Sequence, residues 1–581
     1  MKNCFSLFLT LCLSLNLLLP VQTALAADAW GMAAEALGVY GAYRSSLMAI
    51  LELGNNVHAQ MSSRRQDLQQ TGKDENPTDQ KLVAEIMTEL IAKGGYVLRA
   101  NSLPFIWSVN SDPKLNAACY PTNYITVNRG LLKGLRDDRD EIAAVLAHEM
   151  THGLEQHSAH AYAQAVAQYM AMSLINLHTN STDWYSLNRL AGYSIATNIS
   201  VPTETEADEG GFYLMTDAGF NPGGAAAAMA RMQYYLRYET EDIYEFDTQE
   251  KRRPDQYSDH PETENREKNL AQLMRVYSAG HVSVQDRKNV FIDGDFLLAA
   301  SPTNAAGDNT LENAYYIAGA LAKAFHDHDS LAGWNFREAS GEIDFLDDSR
   351  VYAVLKDFIK KRNAGERLRE MVTLAYQKEG NGVRERLRAA EDKRRQELLK
   401  KQAAAMAASE GAVKQMRLNA DAYNDYGEAD LALTEIARAL AVPSQDNKNL
   451  AEAYAIRGRA KAIKGDFTGA LADTDRAITM DSENLYNFLN RADVYHQMGE
   501  LEKALADTEQ AANLDAKNAV VWYVAGSIYD DMNDRDGALA AYEKLYRLNK
   551  NSDVPMKYLK DIDPKEAERR QKIMDKAKAE R

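Results

Sequence analysis

Apolar residues along the first half of the chain recur with two different periods, which predicts a domain that mixes helices and strands. KLVAEIMTELIAKGG has helical spacing and is stopped by Gly94 and Gly95. YVLRANSLPFIWSVN and NYITVNRGLL are rich in β-branched and aromatic residues and predict strands. RDEIAAVLAHEMTHGLEQH returns to helical spacing. The polar stretch RRQDLQQTGKDENPTDQ precedes this domain and is interpreted as a linker that ends at Pro77 and Thr78.

The C-terminal part of the chain is self-similar at a fixed interval of 34 residues. Three sets of positions show it: Gly458, Ala492 and Gly526; Gly465, Gly499 and Asn533; and Tyr454, Phe488 and Trp522. Small residues at fixed places let two helices approach closely, and the aromatic residue fills the gap between neighbours. The pattern therefore predicts stacked helix pairs and resembles tetratricopeptide repeats over about residues 450–551, with a looser copy around Gly427.

The N-terminal residues have the pattern of a cleaved secretory signal. Lys2 supplies the positive charge, FSLFLTLCLSLNLLLPV the apolar run, and Ala24-Leu25-Ala26 the small-x-small cleavage site. No later apolar run approaches the roughly 18 residues of a spanning helix. We therefore expect a mature protein without a transmembrane segment, located in a bacterial periplasm.

Charge and cysteine content limit the possible functions. The formal net charge of −17 excludes a nucleic-acid-binding class, because phosphates attract basic surfaces. Cys119 is the one cysteine that follows the predicted signal peptide, so the mature chain can form no internal disulfide and has no cysteine cluster for a metal. Any metal must be held by histidine, glutamate or aspartate.

The helical segment contains a His-Glu-x-x-His motif with a known chemical mechanism. His148 and His152 are one helical turn apart, so both imidazoles project from one face and can share a tetrahedral zinc ion. Glu149 lies beside the metal, where it can take a proton from zinc-bound water and create a hydroxide nucleophile.

A third metal ligand is needed to leave one position open for water. The best candidate is Glu204 in PTETEADEGGFYLM, and Asp208, one turn later, can accept a hydrogen bond from the other ring nitrogen of a ligand histidine. Glu206 would face the opposite side of such a helix. The competing interpretation of Glu204 is one more acid in an acidic loop, and Cys119 is interpreted as a small buried residue.

This combination of motifs resembles the M48 family of zinc metallopeptidases. Besides the two segments above, NAACYPTNYITVNRGLL is similar to the strand that precedes the family's active-site helix, and HPETENR is similar to its His-Pro-x-x-x-x-Arg element. The resemblance covers about residues 79–275. Together with the C-terminal repeats, it points to the soluble periplasmic type involved in outer-membrane quality control.

The resemblance implies a role for each matching residue. His148, His152 and Glu204 would bind one zinc ion, Glu149 would be the general base, and Asp208 would support a ligand histidine. His260 and Arg266 would reach the active site from the His-Pro loop, where His260 either stabilises the oxyanion or occupies the open zinc position and keeps the enzyme latent.

The resemblance also implies a substrate strand. In relatives, the strand that matches Tyr124, Ile125, Thr126, Val127 and Asn128 lies at the rim of the cleft, where an extended substrate can add as another strand. The turn before it departs from the family's Pro-Gly-Gly, because it is Pro121-Thr122-Asn123 here. This departure concerns the fit of the substrate and not metal binding.

The sequence thus predicts a mainly helical α+β protein, with a zincin-like metallopeptidase domain followed by an all-α solenoid of tetratricopeptide repeats. The predicted parts are a signal peptide, a helical segment with linker, the peptidase, a middle region with a charged spacer helix, the repeats and a charged C-terminal helix: 1–26, 27–78, 79–275, 276–410, 411–551 and 552–581. No functional role was predicted for the middle region.

The predicted function is zinc-dependent endopeptidase hydrolysis of unfolded or misassembled envelope proteins. The expected partners are protein or peptide substrates, a protein bound in the groove of the repeats and, from the resemblance, the outer-membrane assembly machinery. The alternative is a chaperone or assembly factor whose repeats hold clients while the protease site is latent or dispensable.

Overall fold

The computed structural model describes residues 43–163, 203–238, 263–302, 309–343, 364–379, 382–407 and 410–579, except positions 46, 53, 162, 335, 338–341 and 444. The chain forms two compact units, residues 1–51 with 157–199, and residues 52–156 with 200–581. All elements labelled below belong to the second unit. No helix among the described residues is long and apolar enough to span a membrane.

The two predicted strand segments each contain one strand of a small three-stranded sheet, and its third strand was not predicted. Helices α1 (Val57–Thr71) and α2 (Pro77–Lys93) precede strands β1 (Ile106–Asn110), β2 (Ala117–Cys119) and β3 (Tyr124–Asn128). The order is β1-β3-β2, with β1 parallel and β2 antiparallel to β3. β3 is therefore the central strand.

The helices that follow β3 in the chain contain the residues of the predicted metal site. They are α3 (Arg129–Gly134), α4 (Arg139–Glu155), α5 (residues 203–217), α6 (Gly223–Tyr238) and α7 (Thr263–Tyr277). α4 is buried over nearly its whole length and packs on β2, α2 and α6. The predicted α+β domain and its helical character are confirmed.

Helix α1 corrects the prediction of a polar linker, because the helix continues to Thr71. Its buried residues include the polar side chains of Gln60 and Asp67. The Asp67 carboxylate accepts hydrogen bonds from the Tyr124 hydroxyl at 2.6 Å and the Thr126 hydroxyl at 2.7 Å on β3. A helix that is buried through hydrogen-bonded polar groups lacks the apolar stripe that sequence patterns detect.

The middle region is a folded part of the molecule. A hairpin sheet contains β4 (Val282–Gln285), β5 (Asn289–Ile292) and β6 (Asp295–Ala299), and Asp293 and Gly294, both with positive φ, form the β5–β6 turn. Helix α8 (Thr310–Asp327) packs on this sheet and on α6. The remaining elements are Leu331–Gly333 (3-10), β7 (Phe336–Arg337), β8 (Glu342–Ile343) and α9 (Ala364–Lys378).

The charged helix α10 (Val383–Met406) contacts helices α4 and α5, so its prediction as a spacer is incomplete. Arg394 donates to the Asp217 carboxylate at 2.9 Å and lies over the Tyr213 ring on α5. Lys401 donates to Glu155 at 2.6 Å, at the end of α4. α10 thus bridges the two helices that carry the candidate metal ligands.

The repeats form four helix pairs followed by two terminal helices. The pairs are α11 (Glu410–Asp425) with α12 (Ala429–Ala441), α13 (Asn447–Ile463) with α14 (Phe467–Met480), α15 (Leu485–Gln497) with α16 (Leu501–Leu514), and α17 (Ala519–Asp531) with α18 (Arg535–Leu548); α19 (Met556–Ile562) and α20 (Pro564–Ala579) follow. The predicted solenoid is confirmed.

The periodic small residues have the predicted structural reasons. A Cβ on Gly458 would come within 2.7 Å of the Thr474 side chain, so the two helices of that pair require glycine to pack. Gly465, Gly499 and Asn533 end the first helices of successive pairs with positive φ, a conformation that glycine and asparagine tolerate.

The first repeats contact the α+β domain through α1. The Tyr423 hydroxyl donates to Gln60 Oε1 at 2.6 Å, and Gln60 Nε2 donates to the carbonyls of Pro104 and Thr122, which lie just before β1 and β3. Arg438 of α12 also donates to the Ser102 carbonyl at 2.8 Å. Polar contacts from both of its helices therefore tie the first helix pair to α1 and to the segment before β1.

Candidate metal centre

Helix α4 places the two motif histidines on one buried face. The helix begins after Asp138, whose side chain accepts hydrogen bonds from the Asp140 and Glu141 amides. His148 Nε2 and His152 Nε2 lie 3.0 Å apart, and both side chains are buried. The two ring nitrogens thus converge on one point, as the one-turn spacing predicts.

Glu204 on α5 completes the set of metal-binding atoms. Its carboxylate oxygens lie 3.4 Å from His148 Nε2 and 3.3 Å from His152 Nε2. A tetrahedral zinc ion with bonds of about 2.0–2.1 Å separates its ligand atoms by about 3.3 Å. The ligand atoms of these three residues all lie within 4.8 Å of one another, and among the described residues they form the one such group of His, Cys, Asp and Glu.

Asp208 supports His148 from the side opposite to the converging nitrogens. Its Oδ1 lies 2.9 Å from His148 Nδ1, so it can accept a hydrogen bond from Nδ1–H. The proton then stays on Nδ1, and Nε2 is available for a metal. Burial raises the pKa of Asp208, but the hydrogen bonds from His148 and Arg266 outweigh this effect and lower the pKa to about 2. Asp208 is therefore an anion across the physiological range.

Arg266 on α7 holds the acidic residues of the site together. Its Nε donates to Asp208 Oδ2 at 2.8 Å and its Nη2 donates to Oδ1 at 2.7 Å, while Nη1 lies 3.3 Å from Glu204. This fork geometry fixes the orientation of the carboxylate. The guanidinium contacts the residues around the ligands, so Arg266 is brought to the site as predicted and acts on the positions of Asp208 and Glu204.

The charges of the buried site favour a divalent cation. With both histidines neutral, as metal ligands must be, the formal charges are three negative from Glu149, Glu204 and Asp208 and one positive from Arg266, which gives −2. Burial and the charge of Arg266 lower the pKa of His148, but hydrogen bonds to Asp208 and Glu204 prevail and raise it to about 9. Without a metal the site therefore attracts a proton, and the donor set fits Zn²⁺.

Glu149 faces the edge of the sheet from the same helix. Its Oε2 accepts a hydrogen bond from the backbone N–H of Cys119 on β2 at 2.9 Å, and both residues are buried. Burial, followed by the charge of Glu149, raises the pKa of the Cys119 thiol well above its usual range. Cys119 is thus a buried thiol, as predicted, but its backbone has a role that sequence analysis missed.

Glycines allow the close packing that builds this site. A Cβ on Gly211 of α5 would lie 2.8 Å from the His148 backbone nitrogen, and a Cβ on Gly153 would lie 2.6 Å from the Asn123 side chain. Asn123 itself has a φ of 57°, a conformation that asparagine tolerates better than most residues. α4 therefore touches both the ligand helix and the turn before β3.

The topology corrects the predicted substrate strand. Tyr124, Ile125, Thr126, Val127 and Asn128 form the central strand β3, which pairs with β1 along its whole length and with β2 over 125–127. A substrate cannot add to a strand whose two edges are occupied. Among the described residues no strand pairs with the outer edge of β2, and that edge lies beside Glu149.

The structure therefore brings together His148, Glu149, His152, Glu204, Asp208 and Arg266. His260 lies outside the described residues. The missed group is the Cys119 amide, for which the sequence carries no signal, because the edge position of β2 follows from the sheet order.

Two parts of the chain are similar to known protein families. Residues 77–274 match peptidase family M48, and residues 486–518 and 519–552 each match a tetratricopeptide repeat. Mitochondrial metalloendopeptidase OMA1 of Schizosaccharomyces pombe is 31% identical over 153 residues, which are 26% of this chain and 43% of that protein. The match thus spans less than half the length of this curated relative.

Two solved structures are also similar to part of the chain. MamA has 20% sequence identity and a TM-score of 0.21, with 29% of this chain and 95% of MamA covered. YrrB, described as a TPR protein with an unusual peptide-binding site, has 16% identity and a TM-score of 0.20, with 29% of this chain and 84% of YrrB covered.

Proposed function

Because the chain contains an M48 peptidase domain at residues 77–274, followed by tetratricopeptide repeats, we propose that it is a zinc-dependent endopeptidase. The observation that carries this proposal is the convergence of His148, His152 and Glu204 at separations that suit one tetrahedral ion. Zinc bound there would polarise a peptide carbonyl and activate water as the nucleophile.

The protein's own side chains would then supply the proton transfers and the orientation. Glu149, next to a ligand on the same helix, takes the proton of the attacking water and gives it to the leaving amine. Asp208 keeps His148 in the tautomer that presents Nε2, and Arg266 keeps Asp208 and Glu204 in place. Burial of this network excludes water from the groups that orient the ligands.

We propose that the substrate binds as an extended chain along the outer edge of β2. This edge is the one beside Glu149, and a peptide that adds there places its backbone next to the base. Strand addition requires a chain without stable secondary structure of its own, so unfolded or misassembled proteins are the proposed substrate class.

The proposed location is the bacterial periplasm, and the proposed role is quality control of envelope proteins. The signal-like N-terminus and the family resemblance support both proposals. They also support the outer-membrane assembly machinery as a partner of the repeats. α11 and α12 contact α1 and the segment before β1, so a partner bound by the repeats would lie on the unit that also carries the metal centre.

A second candidate function, a chaperone that holds clients, is favoured by one feature of the repeats. Tyr486, Val520 and Tyr523 on the first helices of successive pairs are 47%, 45% and 47% exposed. Exposed apolar side chains of this kind fit an apolar segment of a client. Replacement of Tyr486 and Tyr523 by serine should abolish the suppression of client aggregation if holding is the main function.

The proposed peptidase activity is tested by Glu149→Gln in the full chain. Wild-type protein and the variant should each hold about one zinc ion, and cleavage of an unfolded model protein should fall about 10³-fold in the variant. The matched control is Glu206→Gln on α5, an exposed acid two residues from Glu204, which should leave cleavage unchanged. Zinc retention without cleavage in the wild type would favour the chaperone, and loss of zinc from all three proteins would refute the ligand set.

A further inference from the structure

The outward-facing peptide groups of β2 can be identified from its pairing with β3. Tyr120 N–H donates to the Tyr124 carbonyl at 2.8 Å, and Asn128 N–H donates to the Asn116 carbonyl at 3.0 Å. In an antiparallel pair, hydrogen-bonded residues alternate with residues whose N–H and C=O point to the other side. Residues 116, 118 and 120 therefore face β3, and Ala117 and Cys119 face the outer edge.

The Cys119 N–H is thus an edge group that an added strand would use. In the structure this donor is engaged by Glu149 Oε2 at 2.9 Å. Cys119 and Glu149 are 7% and 3% exposed, so water has little access to the donor or the acceptor. A single N–H in such a place makes one good hydrogen bond, so a substrate carbonyl and the Glu149 carboxylate compete for it.

We propose that the Cys119 amide is a substrate-binding group that holds Glu149 against β2 until a substrate carbonyl replaces it. This inference rests on the strand addition proposed above. When an extended chain pairs with Ala117 and Cys119, its carbonyl accepts the Cys119 N–H, and the Glu149 side chain is released next to the peptide bond to be cut. No covalent bond changes in this step, since one hydrogen-bond acceptor replaces another.

This replacement of Glu149 by a substrate carbonyl at the Cys119 N–H, called the handover below, fits two other features of the site. α4 approaches β2 closely because Gly153 has no side chain, and a Cβ there would lie 3.0 Å from Cys119 Sγ. Glu149 can reach an edge amide only from such a short distance. Cys119 also pairs with Ile125 of the central strand, and this register fixes the position of the Cys119 amide along the sheet edge that faces α4.

The test compares two inactive variants that differ in their ability to occupy the amide. In Glu149→Gln the side-chain carbonyl can still accept the Cys119 N–H, whereas Glu149→Ala leaves the N–H for the substrate. Both are made in the full chain with zinc bound, and binding of fluorescein-labelled oxidised insulin B chain is measured by anisotropy. We expect the alanine variant to bind about three- to tenfold more tightly.

A proline background removes only the donor in question. Cys119→Pro lacks the outward N–H, and proline is compatible with an edge strand where no ladder bond is lost. The difference between Glu149→Gln and Glu149→Ala should vanish in this background. It should persist with Ala117→Pro, which removes the neighbouring outward N–H, and with Cys119→Ala, which keeps the amide and removes the thiol.

Hydrogen exchange at the Cys119 amide gives a second readout that needs no proline. In Glu149→Ala this amide should exchange at least about tenfold faster than in the wild type, and saturating insulin B chain should restore protection. This arm decides the question if Cys119→Pro does not fold, as judged by circular dichroism and zinc content.

Each outcome has a definite meaning. The handover would be overturned by equal affinities of the glutamine and alanine variants, or by an amide whose exchange does not respond to Glu149→Ala. If the wild type still cleaves, the proposed peptidase function is not affected by either result. Failure of every variant to bind the peptide, together with no cleavage by the wild type, would refute the proposed peptidase function and the handover with it.

Discussion

Two arginines in this protein are each surrounded by carboxylates, but the settings differ. Arg266 in the metal centre contacts Asp208 and Glu204, and these side chains are 6–9% exposed. Arg459 in the repeats contacts Asp421, Asp425 and Asp493, whose side chains are 32–60% exposed. The ion pairs of Arg266 are therefore almost shielded from solvent, whereas the carboxylates around Arg459 are solvent-exposed.

The difference teaches how burial decides the value of an ion pair. Removing one partner of a buried pair leaves an uncompensated charge, which costs about 3–5 kcal/mol, whereas exposed pairs contribute about 0–1 kcal/mol. Loss of one ion-pair partner should thus be strongly destabilising in the metal centre, whereas loss of an ionic contact between repeats should change stability little. The repeats depend instead on small residues such as Gly458 and Gly526 at the contacts between helices.

The largest effect is expected for Arg266→Ala. The variant leaves Asp208 and Glu204 buried without their cation, so we expect the free energy of unfolding to fall by about 3–5 kcal/mol in the metal-free protein. Zinc affinity should fall about 10- to 100-fold, because the orienting contacts are lost. Urea denaturation and competition with a zinc chelator measure the two effects.

Arg266→Lys is the informative control for this prediction. Lysine keeps the positive charge but cannot make the two parallel hydrogen bonds to Asp208. Stability should recover by more than half, whereas zinc affinity should remain low. A variant in which both recover would show that charge alone, and not the fork geometry, holds the site.

Most of the metal centre was predictable from the sequence because it depends on local spacing. The i, i+4 histidines and the Glu204–Asp208 pair lie on helices, where separation along the chain fixes which side chains share a face. The 34-residue period fixed the solenoid for the same reason. Each of these features depends on fixed separations along the chain.

The errors concern elements whose position depends on distant partners. The strand 124–128 was placed at the rim, but β1 pairs with it in parallel from residues 106–110, and no local pattern shows which of three short strands is central. α1 was mistaken for a linker because its burial uses Gln60 and Asp67. The edge position of β2 and the role of the Cys119 amide follow only from the sheet order.

A smaller effect is expected at the buried junction between the repeats and the peptidase. Tyr423→Phe removes the hydroxyl that donates to Gln60 Oε1 and leaves this buried acceptor without that bond. We expect a loss of about 1–3 kcal/mol in the free energy of unfolding. Chemical denaturation of the full chain measures it, and Tyr426→Phe, at an exposed residue that bonds His58, is the matched control.

The excess negative charge of the metal centre predicts that zinc binding depends on pH. In the folded, metal-free protein the pKa of His148 is raised from 6.5 to about 9. Protonation of His148 therefore stabilises the folded state fully below pH 6.5, and this stabilisation is lost as the pH rises to 9. Zinc must displace that proton. Its apparent affinity should therefore rise about tenfold per pH unit between pH 7 and 9, measured by chelator competition.

Release of close to one proton on zinc binding at pH 7.5 would support this assignment, and calorimetry in buffers of different ionisation enthalpy measures it. His152→Ala provides the control, because it weakens zinc binding without removing the His148–Asp208 pair. An affinity that does not depend on pH over this range would contradict the assignment of the proton to the ligand site.

The smallest effect is expected for Arg459→Ala, although this residue contacts more carboxylates than Arg266 does. Water solvates Asp421, Asp425 and Asp493 in the variant, so the lost attraction is offset by relief of desolvation and of side-chain ordering. The free energy of unfolding should change by less than about 1 kcal/mol, and the change should shrink further in 0.5 M salt. Denaturation at low and high salt measures it. A loss of 3 kcal/mol or more that persists in high salt would mean that the number of carboxylates, and not their burial, sets the value of such a cluster, and the contrast between the two regions would then fail.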